Sequence, residues 1–345
     1  MRFPAFCPRN AFCGGLALCL VCISSAIAVE DQEVDEAVVK AIRFLASRQA
    51  ADGSWQIDQR GPSTAGTSLA IMSFLAAGHV PGEGPYGAAI ARGIEYVIQH
   101  QVPNGMIIDA RGHGPMYDHG ISTLMLSEVM GMSEKHSSPR VRAALENGIR
   151  LILKAQQVRK TPRERGGWRY QYNSEDSDLS VTGWQLLALR AAKDIGCDVP
   201  IERIELAVEY VKKCANGRGF GYQPGSGPTS SLTAAGILCL QVCDHLEDAE
   251  VHNGVQFLHR QPLRSQDNWF FYGAYYYAIG AYKYGGADWD RTKAILFREL
   301  LENQSPDGSW TTKNGNERPF GMVYSTSLSV LALTVEYGYL PIYQR

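Results

Sequence analysis

Between residues 34 and 45, Val34, Val38, Ala41, Ile42 and Leu45 recur every three or four positions, with Asp35, Lys40 and Arg43 set between them. That period puts the apolar side chains on one face of a helix and leaves the other face wet. The pattern returns in Ile201, Ile204, Ala207, Val208 and Val211. Other stretches are apolar nearly all round: "AGTSLAIMSFLAAG" (65–78), "VTGWQLLALRAA" (181–192), "SLTAAGILCLQVC" (231–243) and "STSLSVLALTVEYG" (325–338). Helices of that kind are buried on every side.

A short segment joins the two kinds of helix and repeats. "RQAADGSWQ" (48–56) and "NQSPDGSWT" (303–311) nearly match, and looser versions are "HQVPNGM" (100–106), "RERGGWRY" (163–170), "ANGRGFGY" (215–222) and "SQDNWFFY" (265–272). With Trp55, Met106, Trp168, Phe220, Trp269 and Trp310 as anchors, the period is roughly 40 to 60 residues, which means a stacked or ringed helical array. Amphipathic and buried helices alternating six times predict an all-α fold, an α6/α6 toroid of about twelve helices, with closure of the ring inferred from the count. The anchor loops then gather at the N-termini of the inner helices, where free N–H groups and helix dipoles favour anionic groups. Asp118, His119, Asp176, Asp178, Ser180 and Tyr272 all fall at that end.

Composition narrows the function. Arg2 and Arg9, the apolar run from Ala11 to Ala28 and the closing Ala26-Ile27-Ala28 read as a secretory signal peptide over 1–28. Residues 29–345 are then a single exported toroid domain, periplasmic or secreted, with no stable membrane span after cleavage. Retention of the leader as an anchor is the alternative. With 33 basic and 35 acidic side chains, net charge −2, no basic face for nucleic acid is evident. Cys197, Cys214, Cys239 and Cys243 follow the leader and read as small buried hydrophobes, one bridge being left open.

The segment "SEDSDLSVTGW" (174–184) admits two readings. Asp178 or Ser180 caps the next helix, or Asp178 is an acid with Asp176 as its charge partner. His119 is either a catalytic or polar anchor or a histidine held by local hydrogen bonds. Trp168, Tyr170, Trp184, Tyr272 and Tyr276 are candidates to line a cavity, and aromatic rings with a few polar groups suit an apolar ligand or a sugar. For carbohydrate chemistry the candidate carboxylates are Asp118, Asp178 and Glu317.

The "DGSW" segments resemble the Gln-Trp repeat of the terpenoid cyclase and protein prenyltransferase superfamily, the prenyltransferase and squalene oxidase repeat proteins. The resemblance runs over nearly all of the chain after the leader and implies an αα-toroid holding an isoprenoid in an aromatic cavity. His119-Gly120-Ile121-Ser122-Thr123-Leu124 is similar to the H-G-G-Y-T-F segment of the prenyltransferases. Of their zinc ligands only Asp178 is kept, with Ser180 in place of Cys and Leu232 in place of His. That set does not hold catalytic zinc, so neither metal nor cofactor is expected. Asp176-Ser177-Asp178-Leu179-Ser180-Val181 resembles the cyclase segment D-x-D-D-T-A, with Asp178 in the protonating position and Leu179 replacing a carboxylate. The resemblance thus implies an exported toroid binding an isoprenoid-like apolar ligand, either without catalysis or as a diverged cyclase using Asp178. Two alternatives stay open, a scaffold or protein-binding module and an α6/α6 polysaccharide-active enzyme.

Overall fold

A computed structural model describes residues 31–57, 61–109, 114–132, 138–313 and 315–344. The expected leader lies outside them. Six inner helices, α2 (Thr64–Ala76), α4 (Pro115–Met132), α6 (Leu179–Asp194), α8 (Ser230–Gln241), α10 (Phe270–Tyr284) and α13 (Gly321–Leu333), pack in that order, and α13 returns to α2. The ring is closed. Around it stand α1 (Asp31–Ser47), α3 (Gly87–Gln99), α5 (Pro139–Gln156), α7 (Ile201–Lys213) and α9 (Ala249–Arg260). The sixth outer helix is interrupted, with α11 (Gly286–Thr292) and α12 (Arg298–Glu302) joined through a π-helical turn. Burial follows the pattern: every residue of α2 is buried, whereas α1 buries only Val34, Ala37, Val38, Ala41, Ile42, Phe44 and Leu45. A two-stranded hairpin, β1 (Trp55–Ile57) and β2 (Gly61–Ser63), carries the chain from α1 to α2.

The repeated loop is a brace. In three repeats the anchor indole donates to a carbonyl near the end of its own outer helix: Trp55 to Leu45 at 2.7 Å, Trp168 to Ile152 at 2.9 Å and Trp310 to Leu300 at 2.7 Å. The anchor's backbone N–H meets a threonine hydroxyl on the following inner helix, Thr67, Thr182 and Thr326 respectively, and Phe220 does the same with Thr233. A glutamine completes the brace by bonding its own loop glycine and the next outer helix. Gln49 donates to Gly53 and Ala89, Gln101 to Gly105 and Ala144, and Gln156 to Gly166 and Arg203.

Gln304 closes the circle, donating to Gly308 in its own loop (3.1 Å) and to Ala37 on α1 (2.8 Å). Gly308 sits at φ +88°, and a Cβ there would lie 2.4 Å from the Lys40 carbonyl oxygen. Only glycine allows that approach in that conformation. The motif therefore fastens neighbouring helix pairs together, a task set by the toroid and indifferent to any ligand.

The other end of the ring is covered by the chain's last described residues. Pro341–Tyr343 form a short 3-10 turn in which Ile342 donates its N–H to Glu128 of α4 (3.1 Å) and the Tyr343 hydroxyl donates to Leu331 of α13 (2.8 Å). Those two helices are separated in the ring by α2, so the turn lies across the C-terminal end. Leu340, Ile342 and Tyr343 are buried there. Among the described residues no helix is long and apolar enough to cross a membrane.

Candidate functional site

At the N-terminal end of the inner helices a cavity of about 730 Å³ opens. Its wall takes residues from all six inner helices or the loops before them: Leu69, Asp118, Trp184, Leu232, Tyr272 and Tyr324 among them. Two carboxylates stand in the wall. Asp118 is in the first turn of α4, and Asp109, from the loop before it, accepts the N–H of Thr64 at the start of α2 (3.3 Å).

Two aromatic walls face this space. On one side Arg169 lies 4.3 Å from the Tyr170 ring centre and 5.3 Å from that of Tyr222, cation–π distances both. The Tyr222 hydroxyl is hydrogen-bonded to Arg169 and to the Tyr170 hydroxyl, and Tyr170 packs on Tyr117, 5.8 Å between centres. On the other side Trp269 packs on Phe320 at 6.0 Å, and Phe320 on Tyr324 at 5.0 Å.

The acidic segment builds the first wall. Asp178 accepts the Val181 N–H (2.9 Å) as the cap of α6 and pairs with Arg169 at 2.8 Å, while Asp176 takes the Arg169 Nε at 2.9 Å. Together they hold the guanidinium against its tyrosines. Burial pushes the Asp178 carboxyl above its ordinary value, against the pull of the Val181 N–H and of Arg169. Neither aspartate is among the residues lining the cavity. Lys160 pins the same loop through the Gly167 and Asp176 carbonyls and the Ser177 hydroxyl, and burial lowers its ammonium to about 8.

His119 has the place in its repeat that threonine has in four others. Its Nδ1 accepts the Ile107 N–H at 3.1 Å, and its Nε2 lies 3.1 Å from the Gly148 carbonyl of α5. These partners set the neutral tautomer with the proton on Nε2, and burial brings the ring down to about 4. It braces the second repeat beneath the wall. Glu317, another candidate, accepts the N–H groups of Phe271 (3.1 Å) and Tyr272 (3.0 Å) and so caps α10 from a different repeat.

Of the expected lining aromatics, Tyr170, Trp184 and Tyr272 reach the cavity. Trp168 is the buried brace of the third repeat. Tyr276 lies one layer deeper, its ring centre 4.7 Å from that of Tyr272. Asp109, Arg169, Tyr222, Trp269, Phe320 and Tyr324 are lining residues that the sequence reading did not select. A register signal was present, because the position two after the anchor lines the cavity in three loops, as Ile57, Tyr170 and Tyr222. The four cysteines are free and buried, and burial raises each thiol, Cys214 and Cys243 to about 12.

No protein-family model matches the sequence. Several solved structures share its fold. The GH76A alpha-1,6-mannanase from Salegentibacter sp. HEL1_6 superposes with a TM-score of 0.64 at 12% identity, over 87% of this chain and 98% of that one. A possible member of the GH105 family from Klebsiella pneumoniae subsp. pneumoniae MGH 78578 gives 0.62 at 14% identity, over 90% and 93%. A glycosidase in complex with glucose gives 0.62 at 13%, over 90% and 98%. At such identities the likeness shows the fold, an α6/α6 toroid. It also corrects the resemblance to terpenoid cyclases and prenyltransferases, and with it the isoprenoid ligand, since these neighbours bear glycosidase names and none is a cyclase or prenyltransferase. The physical reason lies in the brace: the Gln, Gly and Trp of the motif join helix to helix and do not report on the ligand.

Proposed function

We propose that the chain is a saccharide-binding α6/α6 toroid that cleaves a glycosidic bond, with Asp109 and Asp118 as its acid–base pair. The single observation behind this reading is a cavity with two carboxylates in its wall and an aromatic wall on either side. Its volume falls within the ~300–1,000 Å³ of small-ligand pockets. Sugars present apolar C–H faces to flat rings and hydroxyls to polar groups at their edges, and this lining offers both. Glycoside cleavage by paired carboxylates needs one group to protonate the leaving oxygen and another to activate water or attack carbon. Structural neighbours solved with glucose and with alpha-1,6-mannotriose support a saccharide as the occupant. Asp178 and Glu317 are not among the residues lining the cavity, and Asp118 is the earlier carbohydrate candidate that is.

The test is release of reducing ends from a panel of manno- and gluco-oligosaccharides. Asp118→Asn and Asp109→Asn should each lower the rate by ~100-fold or more while leaving calorimetric binding in place. Full activity in both variants, or no turnover of any saccharide by the parent protein, contradicts the assignment.

A further inference from the structure

The cavity is encircled and blind. Its wall is drawn from all six helix pairs, so among the described residues no side of the ring is left without lining groups. Its inner end is shut by stacked rings. Trp184 lies on Tyr275 with 5.3 Å between centres and planes 11° apart, and Tyr276 packs edge-on against both, at 5.5 and 5.0 Å. Tyr275 and Tyr276 are fully buried. Beyond them Pro341–Tyr343 cover the far end of the ring, and burial, then Tyr275 and Glu128, push the Tyr343 phenol up. A chain that enters from the loop side has no way through.

At that inner end the hydroxyls of Tyr272 and Tyr276 are both unmet, and of the two Tyr272 lines the cavity. Tyr272 lines the cavity at 8% exposure, and no protein group completes a hydrogen bond to its hydroxyl. Tyr276 and Ser180 are its polar neighbours, and the Ser180 hydroxyl is already joined to that of Tyr117. A buried hydroxyl without a partner is destabilising. A ligand hydroxyl arriving at the floor would satisfy it.

Resting on the saccharide reading above, we infer that the cavity takes the end of a saccharide chain, with Tyr272 hydrogen-bonding the terminal unit, and does not take an internal segment. An internal segment has two ends to lead away, and the ringed floor and the described lining offer no second opening below the mouth. A terminal unit needs one opening only, and its end hydroxyls reach the depth at which Tyr272 waits.

The experiment compares short manno- and gluco-oligosaccharides with long mannan and glucan chains of the same linkage, by calorimetric titration of the full chain. Recognition of ends predicts that long chains bind in proportion to the number of ends. Binding in proportion to the number of sugar units overturns the inference and leaves the saccharide reading standing. Binding of neither class overturns the saccharide reading, and this one with it. Tyr272→Phe should weaken oligosaccharide binding roughly five- to tenfold with the melting temperature unchanged or raised, because it removes an unmet buried hydroxyl. Unchanged affinity in that variant overturns the role given to Tyr272.

Discussion

Trp168 and Trp269 hold the same place in their repeats and have opposite fates. Trp168 is 1% exposed, its indole bonded to α5 and its backbone N–H to Thr182. Trp269 is 39% exposed at φ +61°, a left-handed conformation that bulky residues rarely adopt, and it stands at the cavity mouth against Phe320. The cap differs as well: Glu317 of the sixth repeat caps α10, where in the third repeat Asp178 of the same loop caps α6. One motif position serves the frame in the third repeat and the cavity in the fifth.

The largest effect should come from breaking the frame. Trp168→Ala removes a fully packed indole and its hydrogen bond to the Ile152 carbonyl, and is expected to cost ~3–5 kcal/mol in denaturant unfolding. A loss comparable to that of a surface change would mean that the brace is ornamental.

His119 sharpens the comparison, being a frame residue that titrates. Its folded value near 4 lies below the ordinary 6.5, so the unfolded chain binds the proton first as the pH falls. The stability tied to His119 is complete above pH 6.5 and is lost as the pH drops toward 4, a change on the order of 3 kcal/mol at most. His119→Thr installs the residue that other repeats use and should flatten that part of the pH profile. An equally steep profile in the variant would remove His119 from the frame. Trp269→Ala should change stability least, by no more than ~0.5 kcal/mol, while weakening saccharide binding.

The sequence pattern was sufficient for the toroid because burial is periodic: helices wet on one face must stand outside helices apolar on every face. The site was only half legible. Tyr170 follows from its place in the anchor loop, and Trp184 and Tyr272 from the first two turns of inner helices. The roles of Asp178 and Glu317 do not, because a carboxylate before a helix reads alike whether it caps, pairs with an arginine or meets a ligand. Asp176 was selected as a charge partner of Asp178, but Arg169, the partner that both carboxylates hold, was hidden because it is defined only by contacts across the loop. Trp269 was hidden by the repeat itself, which presents every anchor as equivalent until the fold turns one outward. The Gln-Trp likeness pointed to isoprenoid chemistry because a structural brace was taken for a mark of the ligand.

The central claim is that the cavity between the two aromatic walls binds a saccharide. The most direct measurement is a titration of the full chain and of Trp269→Ala with manno- and gluco-oligosaccharides, followed by tryptophan fluorescence and calorimetry. The account predicts saturable binding with an emission change in the parent protein, and both weakened in the variant while its unfolding transition is kept. Equal affinity in the two proteins, or no binding by the parent to any of the saccharides, would contradict it.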